Sequence, residues 1–250
     1  EETMRLQLMT WPEVEKYLTS SNGIIIPIGA TEQHGPTGLI GTDAICAETL
    51  AWKTGALADA IVGPTLSVGM SEHHMHFPGS ITLRPTTLAP VVCDVALSLA
   101  RHGFKRIFFL NGHGGNTSSI DAGFFEVYAK APKLIEGGDE VRCLCAEWWD
   151  TKSAQTLSAE LFGDKDGDHA TASEVSVAAA AYPDHLKSAE MADEPPPTTR
   201  IFGPADFRRR YPEGRLGSHP NLASVEAGQR IVEAVSAELA DLYREFLEEN

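Results

Sequence analysis

Basic residues are scarce in this chain: 20 Lys and Arg stand against 35 Asp and Glu in 250 residues, a formal charge of −15 at pH 7. That balance excludes the cationic face a nucleic-acid binder needs to displace phosphate counterions. Long apolar runs are missing too. The densest, residues 24–28 and 107–110, are strand-sized, against roughly 18 consecutive apolar residues for a membrane span, so no membrane partner is expected. Cysteine is sparse, and Cys46, Cys93, Cys143 and Cys145 read as buried thiols rather than a disulfide or metal framework. The last two share one face of a strand by their i, i+2 spacing. No apolar segment follows the acidic opening Glu1-Glu2-Thr3-Met4, as a secretory signal would require, and the cytoplasm is the expected compartment. There is no Gly-x-Ser-x-Gly elbow and no Gly-Lys-Ser or Gly-Lys-Thr, and a Gly-x-Gly-x-x-Gly reading from Gly112 fails at Thr117. Serine-nucleophile and nucleotide-binding chemistry therefore lack their usual signatures.

With 42% hydrophobic and 22% charged residues, the chain has the material for a core, and its length suits one α/β domain over residues 1–250. The capping-box spacing of Thr10 and Glu13 predicts a helix to about residue 18. A β-branched run predicts a buried strand over 24–28, with Pro27 as a complication. A helix follows over about 43–58, and residues 61–68 read as short strands around Pro64. Thr86 and Thr87 offer caps for a helix to Arg101, which Gly103 terminates. Residues 106–110 form the next strand and a helix runs to about residue 130; residues 141–146 repeat the strand pattern. A buried helix is expected over 169–182, an irregular proline-rich connection over 190–204, and a long amphipathic helix over 224–246. Strands alternating with helices predict a three-layer αβα sandwich with a mostly parallel sheet. Ligands of such sheets sit beyond the carboxyl ends of the strands, so the loops after Ile28, Leu110 and Ala146 should converge.

Three polar clusters lie there. In Thr31-Glu32-Gln33-His34-Gly35, Glu32 and His34 point one way in an extended segment. With Asp43 they have metal-ligand character, but they also suit a solvated turn, with Asp43 stabilising a helix N-terminus. His113 stands among glycines after a buried strand, where an ion, a substrate or a phosphate could approach. His169 and Glu174, five apart on a presumed helix, would border the crevice from different angles, or simply occupy a helix N-terminus. Ser71, His74 and the rest of the histidine-rich loop 71–80 read as a rim of the site, and Trp148 and Trp149 as core, with one of them able to flank a flat substrate. Together Glu32, His34, Asp43, His113 and Glu174 supply three carboxylates and two imidazoles without a thiolate. That set suits one or two Zn, Mn or Fe(II) ions, two of them 3.5 to 4 Å apart if one carboxylate bridges.

The segments PIGATEQHGP (27–36) with Asp43 downstream, S-x-x-H-x-x-FPGS (71–80), FFLNGHGGN (108–116) and HATASEVS (169–176) resemble the creatininase family of amidohydrolases. The match runs from Thr10-Trp11 to Gly217-Ser-His-Pro220. The resemblance implies a two-metal centre that hydrolyses a non-peptide C–N bond, usually in a cyclic amide or a formamide, and homo-oligomers, often hexamers. By position it implies Glu32, His34, Asp43 and His113 as metal ligands, with Asp43 as the bridge. Creatininase itself carries a glutamate where this chain has Gly115, and Glu174 is assigned that ligand place. It carries tyrosine at the position of Gly114, and residues 162–168 hold no tryptophan to close over creatinine. The expected reaction is attack by a metal-held hydroxide on the carbonyl of a small creatinine-like amide. His169 protonates the leaving nitrogen, Glu174 assists, and Ser71, His74, Gly114, Gly115 and Trp149 contact substrate. Formamide, formamidopyrimidine or small-lactam hydrolysis, and peptide cleavage beside a modified residue, are the enzymatic alternatives, separable by assaying such substrates side by side. A non-catalytic metal-dependent receptor is the alternative from another class; it has no need of a proton donor such as His169.

Overall fold

The computed structural model describes residues 3–249. Four parallel strands, β1 (Gly23–Ile28), β2 (Ile61–Val62), β3 (Arg106–Asn111) and β4 (Arg142–Glu147), form one sheet in the order β2-β1-β3-β4. Eight α-helices accompany them among the described residues: α1 (Trp11–Tyr17), α2 (Thr42–Ala58), α3 (Pro85–Arg101), α4 (Thr117–Leu134), α5 (Lys152–Leu161), α6 (Ala172–Ala181), α7 (Pro204–Arg210) and α8 (Val225–Glu248). No helix among them is long and apolar enough to cross a membrane.

Side-chain alternation along the strands divides the core into two layers. Ile24, Ile26, Ile28, Ile107 and Phe109 face α3 and α4, where they meet Leu88, Val92, Ile120 and Val127. Ile25, Phe108 and Leu110 face the opposite way, onto α2 and α8. On α8, Ile231, Val235, Leu239 and Tyr243 recur every four residues and are buried. Each of the three aliphatic side chains contributes about 1.5–3 kcal/mol on burial, so this stripe holds the terminal helix on the sheet. Cys143 and Cys145 do share a face: both pack in the α3/α4 layer, and all four cysteines are free thiols. Pro27 sits in β1 without penalty. The Ile25 and Pro27 carbonyls face the β2 side, accepting from Gly63 and Leu66, and β2 ends at Val62, so no ladder bond is lost for want of an N–H. At the outer strand β4, the Tyr128 hydroxyl accepts from the Cys143 N–H and donates to the Cys143 carbonyl, both at 3.1 Å.

Several boundaries differ from the sequence pattern. Residues 61–68 hold the two-residue β2 and two isolated bridges, Arg5 to Val62 and Ile28 to Leu66. α3 begins at Pro85 with Arg84 as an unbonded cap, not at Thr86 or Thr87, because proline suits the first helical position. The helix expected from residue 169 begins only at Ala172. His169 instead forms an antiparallel bridge with Leu216, and Ala170 takes φ +56°, a backbone turn no helix continues through. α5 and α7 were not legible as helices.

Candidate metal centre

The strand ends and helix starts bring the polar clusters together. β1 delivers Glu32 and His34 in the loop that follows it, β3 delivers His113, and the first turn of α2 carries Asp43. A Cβ at Gly112 would lie 2.2 Å from the Asp43 carbonyl oxygen, so only glycine lets the α2 N-terminus come so close to the end of β3. Glu174 enters from the first turn of α6. There Thr171 and Glu174 form a reciprocal capping box, in which Glu174 Oε1 accepts from the Thr171 N–H and Oε2 is left to face His34 at 3.8 Å.

Asp43 lies at the centre. Its Oδ1 is 2.8 Å from His34 Nε2 and its Oδ2 3.1 Å from His113 Nδ1. Two groups of potential ligand atoms therefore share it, Glu32-Asp43-His113 and His34-Asp43-Glu174; a third group joins Glu32, His34 and His169. Main-chain carbonyls orient the rings: His34 Nδ1 donates to Glu32 O at 3.0 Å and His113 Nε2 to Met70 O at 2.9 Å. His34 Nε2 and His113 Nδ1 are thereby turned to the shared aspartate, the arrangement metal-binding histidines take.

The electrostatics call for a cation. Glu32 is fully buried, and neither of its carboxylate oxygens accepts a well-aligned hydrogen bond. Burial pushes the Glu32 and Glu174 carboxyls each up to about 7. Against burial, the Asp43 and Glu174 carboxylates raise His34 to about 10, and Glu32 and Asp43 raise His113 to about 9. Asp43 is held well below the usual carboxylate range by the two imidazoles, although burial opposes this. Protons take the place that positive charge must fill. Oxygen and imidazole donors without a thiolate fit a divalent ion such as Zn, Mn or Fe(II), so the residues present fit the metal that the sequence implied.

His74 and His169 form a second layer of imidazoles. His74 Nε2 lies 3.2 Å from Glu32 Oε1, and the two rings pack at 4.5 Å between centroids. Burial lowers His169 to about 3 and His74 further still, so both are neutral. A cavity of about 360 Å³ opens beside the centre, lined by Asp43, His113, Gly114, Trp149, His169 and Glu174 among others. Of the residues expected to contact substrate, Gly114 and Trp149 line it. Ser71, His74 and Gly115 do not: Ser71 is buried, and a Cβ at Gly115 would meet the His113 ring at 2.3 Å. Within loop 71–80, His74 alone of the three histidines is buried. A larger groove, about 570 Å³, runs along β4 and is lined by carboxylates without any histidine. Sequence reasoning missed Gln33. A period-two reading turned it away from Glu32 and His34, but the segment is no strand, and Gln33 is buried among His74, His169 and Gly214.

A parallel sheet under a carboxylate–imidazole centre at its strand ends places the chain among metal-site α/β enzymes. The family described as creatinine amidohydrolase, creatininase, matches residues 7–243, and the chain belongs to this family of amidohydrolases. It is 30% identical to the creatinine amidohydrolase of Pseudomonas putida, over 95% of each chain. Over 105 residues, 40% of this chain and 42% of the relative, it is 36% identical to a mycofactocin precursor peptide peptidase of Mycolicibacterium smegmatis. A solved creatininase variant of Zn–Zn type superposes with a TM-score of 0.88 at 26% identity, over 100% of each chain. A manganese form gives 0.87 at 27%, over 99% of this chain and 100% of that one.

Proposed function

We propose that this protein hydrolyses the C–N bond of a small cyclic amide of creatinine-like kind with the help of two divalent metal ions. Glu32, Asp43 and His113 would hold one ion, and His34, Asp43 and Glu174 the other. The observation that carries the reading is the sharing of Asp43, one oxygen toward each set, beside the buried Glu32 carboxylate, whose oxygens accept no well-aligned hydrogen bond. Divalent ions held there supply Lewis acidity toward the carbonyl oxygen and make water nucleophilic near neutral pH. The chain itself supplies the rest. His169, neutral and on the cavity wall, carries a proton to the leaving nitrogen, a transfer worth typically about 10² to 10⁴ in rate. Trp149 offers a flat wall for a ring, and Glu32 and Glu174 orient the centre.

The cavity supports the small-substrate reading, since about 360 Å³ lies near the lower end of ligand-pocket volumes. A second reading, cleavage of a peptide, is favoured by the partial likeness to a peptide peptidase. The test is metal analysis of protein purified without chelator, then assays of creatinine, a formamidopyrimidine, simple lactams and a peptide amide before stripping, after stripping and after refilling. The expected result is about two ions per chain and turnover of a small cyclic amide that is lost and recovered with them. Turnover that survives complete stripping overturns the proposal.

A further inference from the structure

Gln33 stands between Glu32 and His34, is 5% exposed, and has every polar atom of its side chain engaged. Its Oε1 accepts from the Gly35 N–H at 2.9 Å and its Nε2 donates to the Gly214 carbonyl at 2.8 Å. These two main-chain partners fix which end of the carboxamide is oxygen and which nitrogen. One N–H remains, and two imidazole nitrogens compete for it: His74 Nδ1 and His169 Nε2, each at 3.0 Å.

The main chain decides between them. His169 Nε2 is also 2.8 Å from the Gln33 carbonyl oxygen, and a carbonyl only accepts. His169 therefore carries its proton on Nε2 and cannot accept from the amide, so the remaining amide hydrogen goes to His74 Nδ1. His74 then has its own proton on Nε2, a nitrogen that lies 3.2 Å from Glu32 Oε1 without the alignment of a hydrogen bond. His169 is left with a bare Nδ1 on the side of the Glu32 carboxylate, 3.7 Å from Oε1.

We propose that Gln33 is a positioning residue: through its main-chain carbonyl and its carboxamide it holds His169 and His74 each in the Nε2–H tautomer, so that His169 presents a lone pair to the reacting centre and His74 keeps a polar N–H beside Glu32. The catalytic consequence rests on the amidohydrolase reading above. A bare Nδ1 must gain a proton before it can give one. The attacking water gives that proton to Nδ1 as its oxygen bonds to the carbonyl carbon. The same proton then passes to the leaving nitrogen as the C–N bond breaks, and the imidazole returns to its starting state with no other reactant consumed. Gly214 belongs to the same device: it has φ +79°, and a Cβ there would lie 1.9 Å from Gln33 Oε1, so any side chain at 214 pushes the carboxamide off its partners.

The test uses full-length, zinc-loaded protein labelled with ¹⁵N-histidine and long-range ¹H–¹⁵N correlation spectra, with peaks assigned through His74→Gln and His169→Gln. The expected spectrum of the unsubstituted protein shows both rings as single Nε2–H tautomers. In Gln33→Leu and in Gly214→Ala, His74 averages between tautomers, zinc content is kept, and kcat falls about 10- to 100-fold with KM within about twofold, less than the roughly 10²- to 10⁴-fold that a positioned proton carrier supplies, since the imidazoles themselves remain. An Nδ1–H form at either histidine of the unsubstituted protein overturns the proposal, even if neither variant folds. So does a Gln33→Leu protein with full kcat. Tautomers as stated, in a zinc-loaded protein that turns over no amide, would support the positioning role and count against the hydrolase reading alone.

Discussion

Asp43 and Glu174 each use their two oxygens for separate tasks, and this economy of side chains explains why single replacements should separate so cleanly. His113 contributes to only one of the two sets built on Asp43. His113→Ala should lower the metal content of purified protein and abolish turnover, both read by metal analysis and assay; a variant with full metal and full rate would refute the assignment. His169→Ala should keep its metal and lose about 10²- to 10⁴-fold in kcat, as steady-state kinetics would register. Most of the residues that meet at the centre were legible, since Glu32, His34 and His113 follow strands and Asp43 opens a helix. Gln33 was not, because the alternation rule holds for extended chain and the loop after β1 turns; the only signal was its place between two candidate ligands.

At the level of elements, α6 ties helix stability to the metal centre. Thr171 accepts from the Glu174 N–H, and the Glu174 carboxylate bonds back to the Thr171 N–H while its other oxygen faces the site. Thr171→Ala removes half of that box and should cost about 1 kcal/mol. It should lower Tm by about 2–4 °C in a chain of this length and make metal easier to remove in a chelator titration, both measurable on one preparation. The T-x-x-E spacing that marks this start was present in the sequence, but the alanine- and valine-rich stretch suggested a helix from His169. Only the positive φ at Ala170 and the bridge to Leu216 show why it cannot begin there. α7 was illegible for a different reason. Seven residues form no stable helix alone, and this one is held by Phe207 packed on Phe77 and Tyr211.

For the molecule as a whole, the centre couples stability to pH and metal. Without metal, the folded protein holds protons on His34 and His113 up to about 10 and 9, and on Glu32 and Glu174 up to about 7, against ordinary values of 6.5 and 4.5. The folded state thus binds more protons than the unfolded chain through this window. The stability those groups contribute is full below their unfolded values and is lost as pH rises through the folded ones. Asp43 acts in the opposite sense, and only in strong acid. Chelator-treated protein should therefore show a falling Tm between about pH 6 and 9, zinc should reverse the fall, and zinc uptake near pH 7 should release protons detectable by calorimetry in buffers of different ionisation enthalpy. A Tm that is flat or rises over that window in stripped protein would contradict the electrostatics described here.

The Tyr128 hydroxyl on β4 also bears on how copies of this chain could associate. An outer strand normally invites a neighbour to extend the ladder, but here both main-chain groups of Cys143 already belong to the phenol of α4. A foreign strand laid along this margin would have to evict that phenol to bond at Cys143, a local obstacle near the start of β4.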